Sequence, residues 1–238
     1  MPMRMSRDMI ATAFRFTRWA ILTFAMLTVM AMLLYPGGTF RNPSTQHYLF
    51  LRNFLSDLGM PTSWGGHANR LGALLFVSGE ILFASALIAF SVALISLCSS
   101  SPGQRRWARA AAVAGVAAGV GFIGAALTPA DRFLQLHVQS ALLAFGGVFV
   151  AALFLSVILA RDHKFSRSAA VVCIGMMLLL GGYIAVVEWG PRLDTEIGLF
   201  VQVAAQKAVF VAAVPSFYYL SSEAGRVAAE PGRMPEAV

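Results

Sequence analysis

The chain has 238 residues, of which 58% are apolar and 12% charged, with a net charge of +7 and a mean hydropathy of +0.72. A soluble domain carries about twice that charge share, so an ordinary soluble enzyme is excluded, and several apolar runs longer than ~18 residues point to membrane insertion. The basic residues sit at the ends of those runs, where membrane topology uses them, so no nucleic-acid partner is expected. Cys98 and Cys173 each fall within or at the end of an apolar run, which argues against a disulfide framework or a cysteine zinc site.

The first apolar run, from Trp19 to Tyr35, follows several arginines and superficially resembles a signal peptide. It is long for one, and no small-x-small cleavage site follows, so it reads as a retained first helix. Five further segments follow, giving six at about 17–35, 68–98, 107–128, 133–160, 167–189 and 196–221. Breakers separate them: Pro36-Gly37-Gly38, the run from Ser99 to Gly103, Pro129, and Gly190-Pro191.

The expected fold class is therefore all-α. It is a polytopic membrane protein, a bundle of six transmembrane helices with a short outer amphipathic segment. Residues 1–16 form a cytoplasmic N-terminal segment, 17–222 the six-helix domain, and 223–238 a polar, disordered cytoplasmic tail with Pro231 and Pro235. Twelve basic residues fall on one side: Arg4, Arg7, Arg15, Arg18, Arg105, Arg106, Arg109, Arg161, Lys164, Arg167, Arg226 and Arg233. The other side has five: Arg41, Arg52, Arg70, Arg132 and Arg192. The positive-inside rule then places both termini in the cytoplasm of a protein of the cell membrane.

The longest outer loop, 36–66, mixes Tyr48, Leu49, Phe50, Leu51, Phe54, Leu55 and Leu58 with Arg52, Asn53, Ser56 and Asp57. That pattern predicts a short amphipathic helix at the interface or capping the bundle, ended by Gly59 and Pro61. Ala73-Leu74-Leu75 with Gly79 recurs as Ala141-Leu142-Leu143 with Gly147 at the same offset, a weak echo consistent with repeated helical hairpins. The third segment carries Gly115-x-x-x-Gly119 and Gly121-x-x-Gly124, small residues that permit close packing, first of all within the chain.

Segments two, four and six enter from the outer side and hold most of the intramembrane polarity. They carry Asn69, Ser78 and Glu80; Gln135, His137, Gln139 and Ser140; and Glu196, Gln202, Gln206 and Lys207. Glu80 and Lys207 each lie roughly 16–20 Å below the outer start of their segments at ~1.5 Å per residue. Equal depth and opposite charge predict a buried ion pair between them, either fixing helix register or handling a proton, ion or headgroup. Ser56, Asp57, His67, Asn69, Asp131, His137, Gln139, Gln202 and Gln206 are the candidates for a pocket open to the outer leaflet. His47, His67 and His137 with Asp57 or Asp131 would be the raw material for a metal hydrolase, but no H-x-x-x-H or H-E-x-x-H spacing occurs. No metal or other cofactor is expected, and no Walker loop, dinucleotide fingerprint or nucleophile elbow is present.

Phe54-Leu-Ser-Asp-Leu-Gly59, Asn69 at the next helix start, and Pro129-Ala-Asp131 with His137 resemble the bacterial and archaeal six-helix membrane proteins known as the domain-of-unknown-function 998 family, over about residues 15–222. The resemblance implies a six-helix fold and supplies neither an activity nor a catalytic residue. A more superficial likeness links the chain to membrane-embedded ceramidase-type hydrolases, although it lacks their seventh helix and their paired histidine spacing. The leading expectation is a protein that binds or moves a lipid or small amphiphile through an outer-facing polar pocket, with membrane lipid as partner. The alternatives are a lipid hydrolase using His and Asp, and a structural or regulatory membrane subunit. The sequence does not define the oligomeric state.

Overall fold

The computed structural model describes residues 5–98 and 101–230. Six long helices follow in order: α1 (Arg7–Leu34), α2 (Arg70–Leu97), α3 (Pro102–Leu127), α4 (Ala130–Arg161), α5 (Arg167–Trp189) and α6 (Glu196–Ala229). All six are long and apolar enough to cross a membrane. Their outward faces agree with that use: Trp19, Leu33, Leu74, Val113, Leu178 and Val171 are among the most exposed large apolar side chains. A bundle in water would place polar groups there. The chain is thus an all-α, multi-pass membrane protein.

Short polar signals set the helix starts. Ser6, Ser101, Ser166 and Thr195 each accept a hydrogen bond from a backbone N–H in the first turn of α1, α3, α5 and α6, satisfying donors that have no partner inside the helix. Pro102 at the first turn of α3 adds a preset backbone angle. Two helices outrun their hydropathy limits. α1 begins at Arg7 rather than near residue 17, and α6 continues to Ala229 rather than ending near 221. Both extensions are amphipathic. Ile10 and Phe14 on α1 are fully buried in one apolar cluster with Ala224, Val227 and Ala228 on α6, so their helical structure comes from packing, which hydropathy does not register. Residues 223–229, expected as tail, are therefore helical; the stretch with Pro231 and Pro235 lies outside the described residues.

Each helix packs on the next, and α6 returns to α1, so the six close into a ring. Small residues set the closest approaches. A Cβ on Gly115 or Gly119 would meet Ser91 and Ile88 of α2, and one on Gly121 would meet the Ala144 backbone of α4 at 2.5 Å. The glycine stripe of α3 thus serves packing within the chain. Gly79 and Gly147, the echoed pair, each face the preceding helix, at Phe24 and Leu27 of α1 and at Ala114 and Ala118 of α3. The two hairpins α1–α2 and α3–α4 repeat that device.

Residues 36–69 form a cap over the end of the ring where α2, α4 and α6 begin. The amphipathic helix expected here is absent. One short 3-10 turn, Ser56–Gly59, is the cap's helical element, and the rest is irregular chain held by specific hydrogen bonds. Gly38 shows why the path is irregular. Its φ of +87° and its approach to Gly65, where a Cβ would lie 2.0 Å from the backbone nitrogen, exclude any other residue without rearrangement. Leu55 and Leu58 are buried beneath this loop with Tyr35, Phe76 and Phe24, so the cap is a plug set into the mouth of the ring.

Candidate functional site

Asn53, which the sequence reading passed over, is the hub of the cap. It is fully buried. Its side-chain amide donates to the Gly38 carbonyl and to the Asp57 carboxylate, each at 2.9 Å, and its Oδ1 accepts from the Leu49 N–H at 3.0 Å. Its backbone carbonyl accepts from the Lys207 ammonium at 2.6 Å. Asp57 also accepts from the Phe54 N–H at 3.0 Å. Burial pushes the Asp57 carboxyl up to about 6, against the pull of the Asn53 amide, the Lys207 ammonium and the Phe54 N–H. Asn69 completes the frame. Its amide donates to the Leu58 and Met60 carbonyls, both at 3.0 Å, tying the 3-10 turn to the start of α2.

The predicted Glu80–Lys207 ion pair does not form. Lys207 is turned toward the cap. Beyond Asn53, its ammonium lies 5.2 Å from the centre of the Tyr48 ring and 5.3 Å from that of Phe50, a geometry that favours a desolvated cation. Depth along α6 was read correctly, but the cap reaches eleven residues down that helix from Glu196 and supplies the partners. One residue earlier, Gln206 accepts from the Leu55 N–H at 2.7 Å. Glu80 lies beside Ser56, Gly59 and His137. It is 8% exposed and has no hydrogen-bond or ion-pair partner among the described residues.

Glu80 instead faces a central cavity of about 90 Å³ enclosed by all six helices and the plug. Its wall is aromatic, with Phe24, Phe76, Phe83, Phe122, Phe145, Phe210 and Phe217. These rings brace one another: Phe24 stacks on Phe83 at 5.4 Å, and Phe83 meets Phe122 and Phe217 edge-on at 5.4 and 5.5 Å. Four polar side chains line the same space: Ser56, Glu80, His137 and Gln206. A separate, smaller void of about 10 Å³ lies between the 3-10 turn and the α3–α4 junction at Pro129, and Ser56, Glu80 and His137 line that one too. His137 Nδ1 lies 3.1 Å from the Ala125 carbonyl and 2.9 Å from that of Thr128. Carbonyls only accept, so Nδ1 carries a proton, and Nε2 is the ring nitrogen with no partner among the described residues.

The sequence candidates therefore divide. Ser56, His137 and Gln206 converge on the cavity with Glu80. Asp57 and Asn69 are buried in the cap and spent on its hydrogen bonds. Gln202 is buried and donates to the Pro191 carbonyl at 2.9 Å, closing the α5–α6 turn. His67, Asp131 and Gln139 are exposed and take no part; Asp131 pairs with neighbouring Arg132 at 3.9 Å. The expected outer-facing polar pocket is thus replaced by an apolar cavity with a few polar groups under a closed cap. The grouping of Ser56, His137 and Glu80 is not a charge relay either. No hydrogen bond joins any two of them, and Nδ1, which a carboxylate would have to orient, is engaged by backbone carbonyls. Among the described residues no three His, Cys, Asp or Glu side chains are placed to hold a metal ion.

Comparison with known proteins returned no matching family model, no matching curated protein and no matching solved structure. The resemblance carried by Phe54–Gly59, Asn69, Asp131 and His137 rests on those residues alone. Fold and site define the class reached here, a six-helix membrane protein with a plugged, aromatic central cavity.

Proposed function

We propose that this protein binds a small amphiphile in the central cavity, in a cell membrane, with the cap outside and both termini in the cytoplasm. The observation that carries this reading is an aromatic cavity with polar groups confined to the part nearest the plug. Ligand sites are concave, mostly apolar and orient their ligand with a few placed polar groups. At about 30 Å³ per water molecule, the free volume suits a short chain or the end of a longer one rather than a whole phospholipid. Orientation is supported by the excess of basic residues at the end opposite the cap. Mass spectrometry of organic extracts from the purified protein is the test. A stoichiometric amphiphile is expected; repeated extracts holding only bulk lipid at detergent-dependent ratios would count against the reading.

A further inference from the structure

The ionisable lining of the cavity is one-sided, and its fourth polar group, Gln206, is a neutral amide. Glu80 offers two carboxyl oxygens, His137 an imidazole nitrogen, and Ser56 a hydroxyl. No lysine or arginine lines the space. Lys207, one helical position beyond Gln206, is committed to Asn53, Tyr48 and Phe50 of the cap. A buried carboxyl without a partner costs several kcal/mol in an apolar site, and proteins leave few such groups unmatched. Here it stands among seven phenylalanines, whose faces attract cations.

We propose that the amphiphile is a monocation, an ammonium on a short apolar chain, with Glu80 as its counter-ion and the phenylalanine cage around its head. This deepens the amphiphile reading and rests on it. The chain would lie along Phe83, Phe122 and Phe217, while the ammonium donates to Glu80 and to His137 Nε2. A phosphate-bearing headgroup is disfavoured, because no cation in the cavity would meet its negative charge. The observation that separates this proposal from a purely architectural carboxyl is its placement. Glu80 is more than nine-tenths buried, has no partner among the described residues, and lines both the cavity and the small void beside it.

The test uses the full chain in lipid nanodiscs, with hexylammonium, 1-hexanol and hexanoate titrated calorimetrically against empty nanodiscs. The wild-type protein is expected to bind hexylammonium at least about tenfold more tightly than hexanol, with hexanoate weakest. Glu80→Gln, close in shape, is expected to remove that preference, bringing hexylammonium to within about threefold of hexanol. Equal binding of the three probes by the wild type would overturn the cationic ligand while leaving the amphiphile reading standing. A preference for the cation that survives in Glu80→Gln would overturn the role given to Glu80. Binding of none of the three would remove the amphiphile reading itself, and this proposal with it. The probe series on the wild type decides the matter even if the variant fails to fold.

Discussion

Lys207 and Glu80 belong to helices that start at the same end, yet Lys207 is held by Asn53, Tyr48 and Phe50 of the cap while Glu80 lines the cavity. Their energetics should therefore be independent. Lys207→Met removes the stronger of two donors to the Asn53 carbonyl, leaving the Tyr48 hydroxyl at 3.2 Å, and takes the cation from the Tyr48 and Phe50 rings, a loss of about 1–3 kcal/mol. Combined with Glu80→Gln, the two effects should add to within about 0.5 kcal/mol in detergent melting experiments; a coupling well above that would mean the pair meets after all. Asp57 gives a second test at this scale. Its folded-state value of about 6 lies above the ordinary 3.8, so the folded chain holds that proton more tightly than the unfolded one. Its contribution to stability is fully present below about pH 4 and is lost as pH rises through about 6, a change of order 2–3 kcal/mol. Asp57→Asn keeps an acceptor for Asn53 and Phe54 and should flatten the melting profile between pH 4 and 7. An unchanged slope would show that another group sets it. Depth and charge were legible from residue spacing. The side a residue faces was not, because the cap's fold decides it through one asparagine whose neighbours in sequence are ordinary loop residues.

At the scale of elements, α3 and α4 depend on residues that have almost no side chain. Gly121 and Gly147 touch backbone or Cβ atoms of the opposite helix, whereas Gly146 has nothing within 4 Å of an added Cβ. Gly121→Val or Gly147→Val should force the helices apart and cost about 1–3 kcal/mol, while Gly146→Ala should be neutral or slightly stabilising. Melting temperatures of the three variants check this, and equal losses at all three sites would contradict the packing described. The six helices were legible because hydropathy and breakers both report them. Their ends were misplaced at α1 and α6 because amphipathic turns with Arg15, Arg18 and Arg226 lower the mean hydropathy while Ile10, Phe14 and Val227 still bury. On sequence alone the cap's alternating apolar and polar residues fit an amphipathic helix. The positive-φ glycines at 37, 38 and 66 and the Asn53 network instead stabilise an irregular path.

At the scale of the whole molecule, a closed ring of six helices around an aromatic cavity separates two very different ends. One is plugged by the cap and tied at its rim by Arg41 and Arg52 to Glu196, each at 3.0 Å. Exposed pairs of this kind contribute only about 0–1 kcal/mol, so the plug is held by its buried hydrogen bonds rather than by the rim. The other end carries most of the arginines. Single cysteines at Ser44 and Gly103, both exposed, should react with a membrane-impermeant maleimide from opposite sides of intact cells, the first from outside; the native Cys98 and Cys173 are buried. Labelling of both from one side would overturn the orientation. Native mass spectrometry of the purified protein beside Ala141→Trp, which fills the cavity wall one turn beyond His137, asks whether the proposed amphiphile is there. One bound amphiphile is expected on the wild type and none on a variant that still melts cooperatively. The same bound mass on both, or none on either, would contradict the proposal.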